Sequence, residues 1–103
     1  MNSEKQFLKQ DRAKKLFQNG DLKESELIFK DLIKEGVEKY SIYINLAEIY
    51  LRTSRIEEMI KMLNSALKIN PKSYESHNNL GTAYYELGNN QLAIECFNKS
   101  IEL

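Results

Sequence analysis

The chain contains one histidine, His77, and one cysteine, Cys96. A lone histidine serves as a catalytic base only where the fold sets a nucleophile or an orienting carboxylate against it. No Gly-rich phosphate loop, nucleophile elbow or metal-spaced His/Cys/Asp cluster accompanies it. A reactive thiol needs a cationic neighbourhood, whereas Cys96 stands between Glu95 and Phe97, so inert packing or an incidental exposed thiol is its expected role. Glu57 and Glu58 are adjacent, and neighbours on a helix do not face each other; they read as a solvated face. The expectation is a chain with no catalytic residues, no metal and no cofactor.

Composition points the same way. Fifteen Lys and Arg balance fifteen Asp and Glu, so the basic excess of a nucleic-acid binder is missing. Apolar residues make up 42% and charged residues 29%, which is too apolar for a wholly disordered chain. At 103 residues one domain is expected. One cysteine allows no internal disulfide framework and no cysteine-rich zinc site. No apolar run approaches the roughly 18 residues of a membrane span, and the first ten residues lack the apolar stretch of a signal peptide. A cytoplasmic setting, with no membrane partner, follows as the expectation. Charge drifts along the chain: residues 1–35 hold eight basic and seven acidic side chains, residues 71–103 two and four, with five asparagines.

The apolar spacing is helical almost throughout. Leu27, Ile28, Leu32 and Ile33 keep a helical period, as do Leu46, Ile49 and Tyr50, then Met59, Ile60, Leu63 and Leu67, then Ile94, Phe97 and Ile101. Breakers fall at Asn19-Gly20-Asp21, Glu35-Gly36, Asn70-Pro71 and Gly88-Asn89-Asn90. These bounds predict six helices, at about 4–18, 23–35, 40–53, 56–69, 73–87 and 91–102. By this reading the six tyrosines are mostly core, and only Tyr85 points clearly elsewhere.

Shifted by 34 residues, the chain matches itself in size class. Gly20, Ser54 and Gly88 align, then Ala13, Ala47 and Gly81, then Phe29, Leu63 and Phe97, then Ile33, Leu67 and Ile101. Small residues that let two helices approach thus alternate with large ones that fill the space beside them. The third block reads His77-x-x-Leu80-Gly81-x-x-Tyr84, then Ala93-x-x-x-Phe97. The second reads Tyr43-x-x-Leu46-Ala47-x-x-Tyr50, then Met59-x-x-x-Leu63 and Pro71. The first reads Lys9-x-x-Arg12-Ala13-x-x-Leu16, then Ser25-x-x-x-Phe29. This pattern resembles the tetratricopeptide repeat, TPR.

The resemblance implies an all-α fold, a right-handed α-solenoid of three stacked antiparallel helical hairpins. It implies a single TPR domain over 1–103, with repeats at approximately 6–39, 40–73 and 74–103, the last truncated and without a C-terminal cap helix. Lys9 and Arg12 stand where the family has Trp and Leu, a polar face suited to an end with no preceding repeat. Met59 stands at a small-residue position, where it should widen its hairpin or bend into a gap. His77 falls in the aromatic slot between helices. Ile94, Phe97, Ile101 and Leu103 would face a fourth repeat, forming a candidate self-association patch and a possible homodimer through the last helix.

In this family the first helix of each hairpin lines the concave groove. The resemblance assigns to it Gln10, Asp11, Lys14 and Phe17, then Ile44, Asn45, Glu48, Leu51 and Arg52, then Asn78, Asn79, Thr82 and Tyr85. Asp11, Asn45 and Asn79 form a polar row; Phe17, Leu51 and Tyr85 form an apolar one. An asparagine both donates and accepts, so it can pair with a peptide backbone of any sequence. The expected function is a non-catalytic protein–protein interaction module that takes a peptide or partner helix in this groove. The alternative is an oligomerisation or positioning arm of a larger multi-domain enzyme, such as a bacterial glycosyl-, methyl- or sulfotransferase. The family's clamp for the acidic chaperone C-terminus is not expected, because only Asn45 matches it and Glu75 would repel a carboxylate.

Overall fold

The computed structural model describes residues 3–103. They form α1 (Ser3–Gln18), α2 (Leu22–Lys34), α3 (Tyr40–Arg52), α4 (Ile56–Ile69), α5 (Tyr74–Glu86) and α6 (Asn90–Glu102), and no strand occurs among them. The helices pair in sequence as α1 with α2, α3 with α4 and α5 with α6; α2 then meets α3 and α4 meets α5. The result is an α-solenoid 43 Å long and 25 by 19 Å across.

Turn chemistry sets the helix ends. At Gly20, Ser54 and Gly88 the chain enters the left-handed region, with φ of 87°, 60° and 81°. Each of these residues donates its N–H back three residues, and the next residue donates back five: Asp21 to Leu16, Arg55 to Tyr50 and Asn89 to Tyr84, at 2.7–2.9 Å. This is the Schellman closure, which satisfies carbonyls a helix end would otherwise leave orphaned. Ser54 is the one described residue other than glycine that adopts this conformation. Between α4 and α5 the chain turns at Pro71 instead. Ser73 caps α5 by accepting from the Ser76 N–H at 3.1 Å, and Asn89 caps α6 by accepting from the Leu92 N–H.

The core runs along the stack through Phe29, Leu32, Ile42, Leu46, Ile49, Met59 and Leu63, all fully buried. Each such side chain contributes roughly 1.5–3 kcal/mol relative to exposure. Met59 fills its site, at 1% exposure, as its flexible thioether allows. At the same position in the first hairpin, the buried Ser25 donates its hydroxyl to the Ala13 carbonyl at 2.7 Å. Two expectations need correction. Leu27 lies on the outside of α2, 62% exposed, and its partners 34 residues on, Lys61 and Glu95, are also exposed. Of the tyrosines Tyr50 is buried and Tyr43 and Tyr84 pack half-buried against the core, while Tyr40, Tyr74 and Tyr85 are exposed, so the core takes half of them rather than most.

Gly81 marks a close helix approach. A Cβ there would lie 2.5 Å from Cε1 and 2.6 Å from Cδ1 of the Phe97 ring. Gly81→Leu is therefore expected to destabilise the fold by roughly 1–3 kcal/mol, read as a lower urea midpoint. Ser54→Gly should do the reverse. It removes the left-handed cost of an L-residue, less the extra unfolded entropy of glycine, for a gain of roughly 0.5–1 kcal/mol. The same urea titration measures it.

Candidate functional site

Helices α1, α3 and α5 carry the residues assigned to the groove. Asp11, Asn45 and Asn79 are all half-buried, as expected for one row at one depth. The Asp11 carboxylate is held by Lys15 at 3.1 Å. The side-chain amides of Asn45 and Asn79 have no hydrogen-bond partner among the described residues. Phe17 and Leu51 are half-buried and pack against the core, and Tyr85 is exposed. The Arg52 guanidinium lies 4.6 Å from the centre of the Phe17 ring and is held there by Glu48 at 3.1 Å, joining the first two hairpins across this face. Thr82 donates to the Asn78 carbonyl within its own helix.

Two assigned residues sit deeper than the sequence suggested. Ile44 belongs to the core, at 8% exposure, so it does not line an open surface. Gln10 is also buried, with its amide donating to the Ser41 hydroxyl of α3. It forms the floor of a cleft of about 220 Å³ lined by Phe7, Asp11, Lys14, Lys39 and Ser41. Asn78, at the same helix position in the third hairpin, is exposed, with no described helix over it. Lys39 was missed by sequence reasoning: it lies in a link between helices, where helical periodicity assigns no face.

The charges of this face are segregated. Lys14 and Lys39 make no ion pair among the described residues, and neither do Glu75 and Glu86 at the far end. The face therefore runs from cationic at the first hairpin to anionic at the third.

The opposite face of the first hairpin is different. Several of its charges are tied to one another: Lys9 bridges Asp31 and Glu35 across the hairpin, and Arg12 holds Glu24 at 2.7 Å. Glu26 is engaged by Lys30 on its own helix and by both terminal nitrogens of Arg55 from the α3–α4 turn. Arg55 in turn lies 4.6 Å from the centre of the Tyr50 ring. Hydrogen bonds from Arg55 hold the Glu26 carboxyl down at about 2, against an ordinary 4.5, despite the cost of burial. Shallow hollows of about 470 and 630 Å³ flank Leu27 here, larger than the cleft on the inner face. Leu22 and Leu27 line both, and of their polar rims Glu24, Glu26 and Arg55 are already paired.

At the far end Ile94 and Ile101 are exposed, at 59% and 82%, and Leu103 is exposed as well. Phe97 departs from the expected patch: its ring turns inward against Gly81 and is half-buried. His77 is half-buried beside the α4–α5 turn, its Nε2 3.4 Å from the Pro71 carbonyl oxygen. Partial burial pushes the Cys96 thiol up, and Glu95 adds to the shift; this disfavours the reactive thiolate. Among the described residues no group of three His, Cys, Asp or Glu could hold a metal ion, and no helix is long and apolar enough to cross a membrane.

The family model of the tetratricopeptide repeat matches residues 38–103, the second and third hairpins, more than half of the chain. The chain belongs to the tetratricopeptide repeat family. Solved structures agree on the fold. The first TPR of Spaghetti (RPAP3), bound to an HSP90 peptide SRMEEVD, is 18% identical with a TM-score of 0.90, over 99% of this chain and 81% of that one. The second TPR of the same protein, bound to the same peptide, is 21% identical with a TM-score of 0.88, over 95% and 91%. A mutant of MamA is 15% identical with a TM-score of 0.87, over 95% and 72%. The family has Trp and Leu where this TPR chain has Lys9 and Arg12, and here both side chains close the first hairpin by ion pairs.

The Glu26–Arg55 contact links the first two repeats, so it also sets an acid limit. A carboxyl whose folded pKa lies below its unfolded one stabilises fully above the unfolded value, and that stability is lost as pH falls through the folded value. The melting temperature should therefore drop between pH 4.5 and about 2. Glu26→Gln should cost roughly 1–3 kcal/mol at neutral pH and flatten that acid limb, as followed by circular dichroism melts across the range.

Proposed function

We propose that this TPR chain is a non-catalytic protein–protein interaction module that holds an extended peptide along α1, α3 and α5. The observation that carries this reading is the pair of half-buried amides, Asn45 and Asn79, neither of which has a hydrogen-bond partner among the described residues. Neither amide is among the side-chain polar atoms buried without a partner, so both remain open to solvent, and a peptide backbone can take the place of water as both donor and acceptor. Phe17, Leu51 and Tyr85 beside them offer apolar seats for side chains. The two Spaghetti (RPAP3) domains, bound to an HSP90 peptide, support peptide binding by this fold.

The ligand we infer is not the acidic chaperone tail. Glu75 and Glu86 give the third hairpin a negative end, which repels a carboxylate at about the Coulomb strength of exposed charges. Lys14 and Lys39 attract one at the other end, beside the cleft that holds Phe7. The preferred peptide is thus acidic where it crosses the first hairpin and neutral or basic where it crosses the third.

The test begins with selection from a random-peptide phage library, followed by calorimetry on the winners. Asn45→Ala should weaken binding by roughly 1–2 kcal/mol with the melting temperature nearly unchanged, since the Asn45 side chain has no hydrogen-bond partner among the described residues. Unchanged affinity in that variant would remove the groove as the binding surface.

A further inference from the structure

The end face of α6 carries an inference that does not depend on the groove. Residues 34 apart occupy equivalent places in successive hairpins. Ile94 is equivalent to Ile60 and to Glu26, and Ile101 to Leu67 and Ile33. In the first two hairpins these positions are buried or half-buried, because another hairpin follows. In the third they are open to solvent.

The two end faces of the stack differ in charge. On α1 the outward positions hold Leu8, Arg12 and Lys15, where α3 has Ile42, Leu46 and Ile49 and α5 has Ser76, Leu80 and Ala83, all six buried. On α6 the stripe Asn90, Ile94, Asn98 and Ile101 is exposed and carries no charge. Its neighbours Glu95, Lys99 and Glu102 each lie one residue on, about 100° around the helix. Head-to-tail stacking of two copies would press Ile94 and Ile101 onto Arg12 and Lys15. That strips water from charges already satisfied by Glu24 and Asp11, a desolvation that their pairing does not repay. Two α6 faces meeting each other bury no charge, and interface cores are depleted in charge.

We propose that a second copy of this chain covers the α6 end face, in a closed two-fold dimer built from Ile94, Ile101 and Leu103 of each copy. The stripe is its own partner, so antiparallel α6 helices satisfy both copies at once and leave no further face of this kind for growth. Phe97 takes no direct part, because its ring is committed to Gly81.

Sedimentation velocity across micromolar to millimolar concentration tests this on the full chain. The expected result is a rise from one-chain to two-chain mass that then levels off. Ile94→Glu and Ile101→Glu should each hold the protein at one-chain mass. Both positions are exposed in the single chain, and unchanged far-ultraviolet circular dichroism checks that the variants fold. Lys15→Glu should leave the dimer intact. One-chain mass at every concentration, growth beyond two chains, a dimer that survives both glutamate variants, or loss of association in Lys15→Glu alone would each overturn the proposal.

Discussion

The close approach of two helices within a hairpin is the constraint on which the rest of the structure depends. Where α5 meets α6, the Phe97 ring occupies the space a Cβ on Gly81 would need. In the other hairpins Ala13 and Ala47 serve the same end, both fully buried. A small residue on the first helix and a large one on the second bring the backbones together, and dispersion over many close atoms does the rest. With the hairpins closed, the first helices fall into line on one side of the stack. That alignment sets Asp11, Asn45 and Asn79 in a row.

Closing hairpins does not by itself join them. Between the first two repeats the join is partly polar: Arg55 reaches from the α3–α4 turn to Glu26, and its guanidinium lies over Tyr50. Arg52 does the same on the inner side over Phe17. Between the second and third repeats no ion pair occurs among the described residues, and packing of α4 on α5 carries the junction. The charge drift along the sequence thus becomes a change in how neighbouring repeats adhere. It also leaves one end of the stack charged and the other apolar and neutral.

The same drift polarises the inner face. Cations without partners sit near the first hairpin and carboxylates without partners near the third, with amides between them. Larger hollows exist outside, around Leu22 and Leu27, where Glu24, Glu26 and Arg55 are already paired. For recognition, the decisive quantity is the number of polar groups still lacking a partner rather than hollow volume, because a ligand gains most where it completes hydrogen bonds the protein leaves open.

The sequence by itself determined the helices, their order and the repeat. Those follow from local rules: apolar residues at helical spacing, glycines where φ turns positive, Pro71 where a helix must stop. It also determined the row of Asp11, Asn45 and Asn79, because a fixed repeat length places equivalent residues at equivalent heights. Only the tertiary structure decided depth and partners. Ile44 and Gln10 share a helix face with the groove but lie under a neighbouring helix, and Phe97 turns in to cover Gly81. Leu27 fits the apolar period of α2 yet stands in solvent, a position the charged Lys61 and Glu95 already marked as outward. Lys39 belongs to no helix, so no periodicity assigned it to the cleft. The reason is common to all of these: spacing along the chain fixes the direction of a side chain, while the neighbouring hairpin decides whether that direction ends in water or in core.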